Sequence, residues 1–285
     1  MDVCDIRVIH TVLARHGFRF SKMKGQNFLT AAWVPERMTA EAGIDARHGV
    51  LEVGPGFGAL TKSLCEKAGR VLALELDRSL LPVLGETLGA PDNLTVIQGD
   101  ICRADVRGLV DGHLAGLVPA AVANLPYSVT TQALTALLEV GVFSSVTVMV
   151  QREFARRMAA GPGTEAYGAF SLYCQVKADA RVLFDVPPDC FTPRPKVTSS
   201  VVRLVPFRVP PVPEEEQPRF LKVVRAAFSQ RRKTLCNALC AAYPLPKEEM
   251  ASLLRGCGVD PAARGETLGV DAFLSLSRAL YDGRS

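Results

Sequence analysis

The chain has 285 residues, of which 48% are hydrophobic and 22% charged, and a formal net charge of +4. That length lies near the upper limit for one hydrophobic core, which favours one large domain with a small one, and the composition excludes a disordered chain. The mild charge permits a nucleic-acid partner without requiring one, so the placement of the charges decides.

Asp2, Asp5 and Arg7 precede any apolar stretch, and no apolar run reaches the length of a membrane span, so a soluble cytoplasmic protein is expected. Ile6, Ile9, Val12 and Leu13 have helical spacing and predict a helix over 6–16. Arg19, Lys22 and Lys24 then lead into Gly25-Gln26-Asn27-Phe28-Leu29. This segment reads as a surface arm or as a flap whose Asn27 and Leu29 close over a ligand, and local physics favours the arm.

Residues 50–53 are a buried strand running into Gly54-Pro55-Gly56-Phe57-Gly58 and a helix that starts at 59–61. Glycines at such a turn let a ligand approach the backbone where side chains would clash. The G-x-G-x-G spacing is neither the dinucleotide fingerprint nor a phosphate loop. A second strand, 71–76, brings Glu75 to its end, 21 residues after Gly54. An acidic residue about 20 residues on takes ribose hydroxyls in such folds, and that role outweighs a merely solvated carboxylate. A third strand, 94–98, ends in Gly99-Asp100-Ile101. Asp100 fits an adenine amine, with Ile101 against the ring, and a helix cap fits it nearly as well.

A fourth strand, 120–123, delivers Asn124-Leu125-Pro126-Tyr127: an amide, two carbonyls, a stiffening proline and an aromatic ring. A helix over 130–140, a strand over 146–150 and a helix over 151–160 follow. Arg152 and Arg156 share a face of the last, with Arg157 beside them, either as a solvated face or as a stripe for RNA phosphates. Strands at 180–184 and 201–205 bracket the stiff loop Phe191-Thr192-Pro193-Arg194-Pro195-Lys196-Val197. The sum is seven strands, the last antiparallel. Residues 207–218 have the proline and glutamate content of a linker. A helix at 220–228 then leads to Arg231-Arg232-Lys233-Thr234-Leu235, which fits helix-end solvation and RNA contact equally, and two or three helices complete the chain to Tyr281. The expected division is an α/β domain over 1–205 and a small all-helical domain over 206–285.

Several chemistries are absent: there is no G-x-S-x-G elbow, no H-E-x-x-H, no phosphate-loop lysine, and the four histidines have no catalytic setting. The eight cysteines (Cys4, Cys65, Cys102, Cys174, Cys190, Cys236, Cys240 and Cys257) form no C-x-x-C pair, so neither a metal site nor a disulfide framework is suggested. A nucleotide-like cofactor therefore lies across the first three strand mouths, with a pocket for a flat base at the fourth. S-adenosylmethionine fits best, its adenosine on Asp100 and Glu75 and its sulfonium toward Asn124.

Gln26 to Leu29, Glu52 to Gly58, Leu74 to Asp77, Gly99-Asp100, Asn124 to Tyr127 and Phe191 to Ser199 stand in the order seen in ribosomal RNA adenine dimethyltransferases, which the chain resembles. Residues 228–235 resemble the segment that marks the small-subunit branch. The resemblance implies a Rossmann-like class I methyltransferase fold with a seven-stranded, mostly parallel sheet, and S-adenosylmethionine as cofactor, bound by Asn27, Leu29, Gly54, Glu75, Asp100 and Asn124. It turns the arm into a flap. It further implies catalysis by Asn124, Leu125 and Tyr127, and base contacts from Tyr127 and Phe191. The implied substrate is a pair of adjacent adenosines in a hairpin near the 3′ end of 16S rRNA, within the immature small subunit, with the protein acting as a monomer. A large-subunit enzyme of the antibiotic-resistance type and a non-catalytic assembly factor are the alternatives. Ser128-Val129 departs from the asparagine and isoleucine common at that point in the family.

Overall fold

The structure, a computed structural model, describes residues 1–18, 20, 26–230 and 232–281. Arg19, Lys22, Lys24 and Gly25 of the basic lead, and Arg231 of the basic run, lie outside the described residues. In chain order the elements are α1 (Ile6–Arg15), β1 (Phe28–Leu29), α2 (Trp33–Glu41), β2 (His48–Val53), α3 (Ala59–Cys65), β3 (Arg70–Glu75), α4 (Leu81–Leu88), β4 (Leu94–Gln98), α5 (Val106–His113), β5 (Val118–Asn124), α6 (Thr130–Glu139) and β6 (Ser145–Gln151). Then come α7 (Arg152–Met158), α8 (Ala169–Lys177), β7 (Ala178–Val186), β8 (Phe191–Thr192), β9 (Ser199–Pro206), α9 (Gln217–Phe228), α10 (Leu235–Cys240), α11 (Lys247–Gly256) and α12 (Val270–Tyr281).

The chain divides into two compact units, one made of Met1–Ala155 with Arg181–Pro206, the other of Arg156–Ala180 with the chain from Phe207 onward. The last segment of the sheet unit ends at Pro206, and the chain re-enters the helical unit at Phe207. The helical unit also takes in Arg156–Ala180, a stretch that the expected division assigns to the sheet domain.

The first unit is built on a seven-stranded sheet in the order β4-β3-β2-β5-β6-β9-β7. β2 pairs in parallel with β3 and β5, β3 with β4, and β5 with β6, whereas β9 runs antiparallel to β6. β2, β3 and β6 are buried almost end to end. Strands covered on both faces read as continuous apolar runs, which is why they stand out in the sequence; each buried Val or Leu contributes roughly 1.5–3 kcal/mol. From β2 the chain winds outward through β3 to β4, then returns to place β5 on the other side. The reversal between β2 and β5 opens a crevice at the carboxyl ends of the strands, the usual ligand position in such sheets. In α1, Ile9, Val12 and Leu13 are buried as the spacing predicts, but Ile6 is exposed.

In the second unit, Phe220, Val223, Val224, Leu235, Met250 and Phe273 pack into one core. Two features here depart from the sequence pattern for identifiable reasons. Residues 169–177 are assigned no element in the sequence, although Ala169, Leu172, Tyr173 and Val176 have helical spacing. They fold as α8, whose start is fixed by the Gly168 N–H donating to Ser171 Oγ (3.1 Å) while that hydroxyl donates to the Arg157 carbonyl (2.6 Å). Residues 207–218 are not a free linker: Val212 is fully buried and its carbonyl accepts from Gln217 Nε2 at 3.0 Å.

Candidate active site

One cleft runs over the ends of β2, β3, β4 and β5 and is lined by Gln26 to Leu29, Glu52 to Phe57, Leu74 to Asp77, Gly99 to Cys102 and Asn124 to Tyr127, among others. Asn27, Leu29, Gly54, Glu75, Asp100, Asn124, Leu125 and Tyr127 are thus brought together as the sequence motifs imply.

The floor is the glycine turn after β2. Gly54, Gly56 and Gly58 have φ of +69°, +60° and +92°, which L side chains rarely adopt. Nothing lies within 4 Å of a Cβ added at Gly54, so the backbone there is open to a ligand. At Gly56 that atom would meet the Phe28 ring at 3.1 Å, so glycine also lets the arm lie down on the turn. Several contacts hold the arm: Gln26 Nε2 donates to Asp77 Oδ2 (2.9 Å), Phe28 and Leu29 pair with Thr192 and Phe191, and the Phe28 ring packs 6.1 Å from that of Phe57. Residues 26–29 therefore line the cleft and are tied to the sheet unit.

Glu75 is buried and oriented by the backbone. One carboxylate oxygen accepts from the Gly56 N–H (3.2 Å) and the other from the Asp77 N–H (2.7 Å). Asp100 Oδ1 accepts from the Cys102 N–H at 2.9 Å and closes a turn, not a helix cap, because the next helix, α5, starts at Val106 with Asp105 as its N-cap. Asp100 also lines the cleft.

Glu52 carries no role in the sequence beyond its place in the glycine motif. Its side chain is buried, and Oε2 has no hydrogen-bond partner among the described residues. Burial, reinforced by the nearby Glu75 charge and opposed by the Thr61 hydroxyl, pushes its pKa from 4.5 up to about 8. A charged residue inside an otherwise apolar strand is the signal that could have marked it. Well below pH 4.5 it is protonated whether the chain is folded or not. Between pH 4.5 and 8 the unfolded chain releases the proton and the folded chain keeps it, so stability falls as pH rises. Glu52→Gln is therefore expected to be near neutral at pH 4.5 and to stabilise by up to a few kcal/mol at pH 8, since each tenfold difference in proton affinity is worth about 1.4 kcal/mol. Thermal melts across that range check this, and a pH-independent difference contradicts it.

At the β5 mouth, Asn124 Nδ2 donates to the Asn27 carbonyl (3.4 Å), which leaves Oδ1 as the acceptor. The Leu125 N–H donates to the Met149 carbonyl (3.2 Å), and Pro126 sits at φ −57° and ψ 131°, so the tetrapeptide is held from both sides. The Tyr127 hydroxyl pairs with Ser199 Oγ at 2.7 Å, an anchor absent from the sequence reading. Phe191 is placed differently from its expected base contact. It is buried in the core, is not among the cleft-lining residues, and pairs through its backbone with Leu29, so it braces residues 26–29 from behind.

The cleft is acidic. Glu52, Glu75, Asp77 and Asp100 line it, and no lysine, arginine or histidine is among its described lining residues. That wall suits a cationic adenosine such as S-adenosylmethionine and opposes the pyrophosphate of a dinucleotide.

A family model described as ribosomal RNA adenine dimethylase matches residues 17–282. The chain is 43% identical over 274 residues to ribosomal RNA small subunit methyltransferase A of Geobacillus thermodenitrificans, covering 94% of each chain. It is 41% identical over 285 residues to the protein of the same name from Streptococcus pneumoniae (strain P1031), covering 98% of each. Among solved structures, the 23S rRNA methyltransferase ErmE aligns with a TM-score of 0.68 at 25% identity, covering 89% of this chain and 99% of that one. A dimethyladenosine transferase from Plasmodium falciparum shares the fold with a TM-score of 0.70 at 24% identity, covering 87% and 95%. The acidic adenosine cleft, the amide-carbonyl-proline-tyrosine mouth and a match over nearly the whole length converge: the chain belongs to the ribosomal RNA adenine dimethylase family, whose Rossmann-like enzymes use S-adenosylmethionine as methyl donor.

Proposed function

We propose that this protein transfers methyl groups to N6 of two adjacent adenosines in a hairpin near the 3′ end of small-subunit (16S) rRNA, two per base, during small-subunit assembly. The observation that carries the chemistry is the Asn124 amide, turned by the Asn27 carbonyl so that Oδ1 remains to accept.

An adenine amine is a poor nucleophile because its lone pair is delocalised into the ring. Asn124 Oδ1 and the Leu125 carbonyl accept its two hydrogens, which draws the nitrogen toward a pyramidal geometry, takes the lone pair out of conjugation and points it at the methyl group. Pro126 fixes that pair of acceptors before the base arrives. Tyr127 stacks on the base, a contact worth about 1–3 kcal/mol, and its hydroxyl bond to Ser199 fixes the ring. S-adenosylmethionine would supply a methyl group on a sulfonium that leaves as a neutral thioether, and the methylated amine, then cationic and strongly acidic, would lose its extra proton to water, so neither a strong acid nor a strong base is asked of the protein. Asn27, Leu29, Gly54, Glu75, Asp100 and Asn124 hold that cofactor, and the rate comes mainly from positioning. The base must be unpaired to enter, which suits an RNA loop.

The small-subunit assignment rests on the names of relatives that match 94–98% of the chain and on segment 228–235. In that segment Arg232 and Lys233 stand exposed just before α10, whose N-cap is Thr234. The helical region from 206 contacts RNA through these cations, and the protein acts as a cytoplasmic monomer on the immature particle. Incorporation of labelled methyl groups into unmodified small and large subunits tests the assignment. Label in the small subunit is expected, and label confined to the large subunit overturns it.

A further inference from the structure

The cofactor cleft covers the ends of β4, β3, β2 and β5, so an adenine at the β5 mouth has its cofactor on one side only. On the other side stand β6 and β9. There a second hollow, of about 330 Å³, is lined by Gln151, Arg152, Glu153, Lys196, Val197 and Thr198. We propose that this hollow seats the nucleotide next to the target adenosine, with Arg152 and Lys196 on its phosphate. The proposal rests on the adenine pocket assigned above to Asn124–Tyr127.

Position comes first. Asn124 is in register with Met149, and two residues further along β6 Gln151 is in register with Ser199, the hydroxyl partner of Tyr127. The hollow thus begins about one strand spacing, roughly 5 Å, from the target mouth. An RNA strand that delivers its base at β5 must leave away from the cofactor, which means across this hollow.

The walls are fixed. The Arg152 N–H donates to the Thr198 carbonyl (3.0 Å) and so ties the end of β6 to the loop before β9. Ser200 Oγ donates to Asp185 Oδ1 (2.5 Å), and Asp185 Oδ2 lies 3.9 Å from Arg152 Nη1. A contact that long, on a guanidinium 46% exposed, orients Arg152 without occupying its other donors.

Charge discriminates. The cofactor cleft has the carboxylates of Glu75, Asp77 and Asp100 in its lining and no cation among its described lining residues, whereas the hollow offers Arg152 and Lys196, with Glu153 in its lining and Asp185 beside Arg152. The cleft favours a cationic cofactor, and of the two sites the hollow is the one that offers cations to an anionic phosphate. The Gln151 amide and the Thr198 hydroxyl supply donors and acceptors for the ribose and base of the flanking residue. Because the proposed targets are neighbours, one adenosine would occupy the hollow while the other is methylated.

The test is a double cycle on an RNA hairpin carrying the two adenosines, read by fluorescence anisotropy with the full-length protein. One arm is the double variant Arg152→Gln and Lys196→Gln. The other arm replaces the phosphate flanking the target by a neutral methylphosphonate. Each change alone is expected to weaken binding about tenfold and to lower the slope of log affinity against log salt by about 0.7. Applied together they should weaken binding little more than either alone, and Arg152→Lys should recover most of the loss. Additive losses, or a double variant that binds like the wild type with an unchanged salt slope, overturn the hollow as a phosphate seat. Cofactor affinity of the variant should be unchanged; a parallel fall reveals a structural lesion, and the methylphosphonate arm on the wild type then decides. Methyl transfer by the wild type reads the adenine pocket separately, so its failure condemns that pocket while the binding cycle still judges the hollow.

Discussion

Asn124→Ala is expected to lower methyl transfer on the order of 10²–10³-fold, the usual cost of removing one preorganised polar group that acts on a reacting centre. The variant loses the Oδ1 acceptor, so the N6 lone pair is no longer held out of conjugation and aimed at the methyl group, while the stacking surface of Tyr127 and the RNA contacts outside the pocket remain. It also releases the Asn27 carbonyl (3.4 Å), a long contact whose loss weakens the flap only modestly. The effect should therefore appear in kcat, with RNA affinity changed by no more than about threefold. Steady-state kinetics together with equilibrium RNA binding separate the two. Collapse of RNA binding in a folded variant contradicts the assigned role. Undiminished methylation would mean that the acceptor lies elsewhere. The same variant addresses the assembly-factor alternative, because a protein that acts by inspection alone loses nothing with this amide.

Glu75→Gln is expected to act on the cofactor side. In the native protein both carboxylate oxygens accept backbone N–H bonds, from Gly56 and Asp77, and the side chain is buried at the end of β3. An amide turns one acceptor into a donor that faces an N–H, and removes the charge that strengthens any bond to a ribose hydroxyl. Hydrogen bonds to charged groups contribute roughly 1.5–3 kcal/mol, and about 1.4 kcal/mol is tenfold in affinity. S-adenosylmethionine should therefore bind on the order of 10²-fold more weakly, while kcat at saturating cofactor changes far less. Calorimetric titration measures this directly. Wild-type affinity in the variant contradicts the ribose assignment.

Much of the site is legible in the sequence because of how parallel sheets are buried. Strands covered on both faces leave apolar runs, and the polar residue or glycine that ends each run marks a strand mouth: Gly54, Glu75 and Asn124 stand out in this way, whereas Asp100 follows the half-exposed edge strand β4. What stays hidden depends on long-range packing. Where residues 26–29 lie is decided by Asp77, Thr192 and the aromatic contact with Phe57, all far away in sequence. Phe191 looks like a stacking ring because it opens a stiff loop beside the site. Its pairing with Leu29 draws it into the core instead. Residues 169–177 go unassigned in the sequence although Ala169, Leu172, Tyr173 and Val176 have helical spacing, and it is the cap at Gly168 and packing within the helical unit that fix the helix. Glu52 is in plain view inside its motif, but its significance lies in burial without a partner for Oε2 among the described residues, which a sequence does not display.

The central claim is that the β5 mouth presents adenine N6 to the cofactor twice per base. Nucleoside mass spectrometry of small-subunit rRNA, after incubating unmodified subunits with the protein and S-adenosylmethionine, tests it most directly. Dimethyladenosine in the fragment that carries the paired adenosines, and its absence with Asn124→Ala, is the expected result. Methyl groups found only on other bases, or no dimethyladenosine with the wild-type protein, would contradict it.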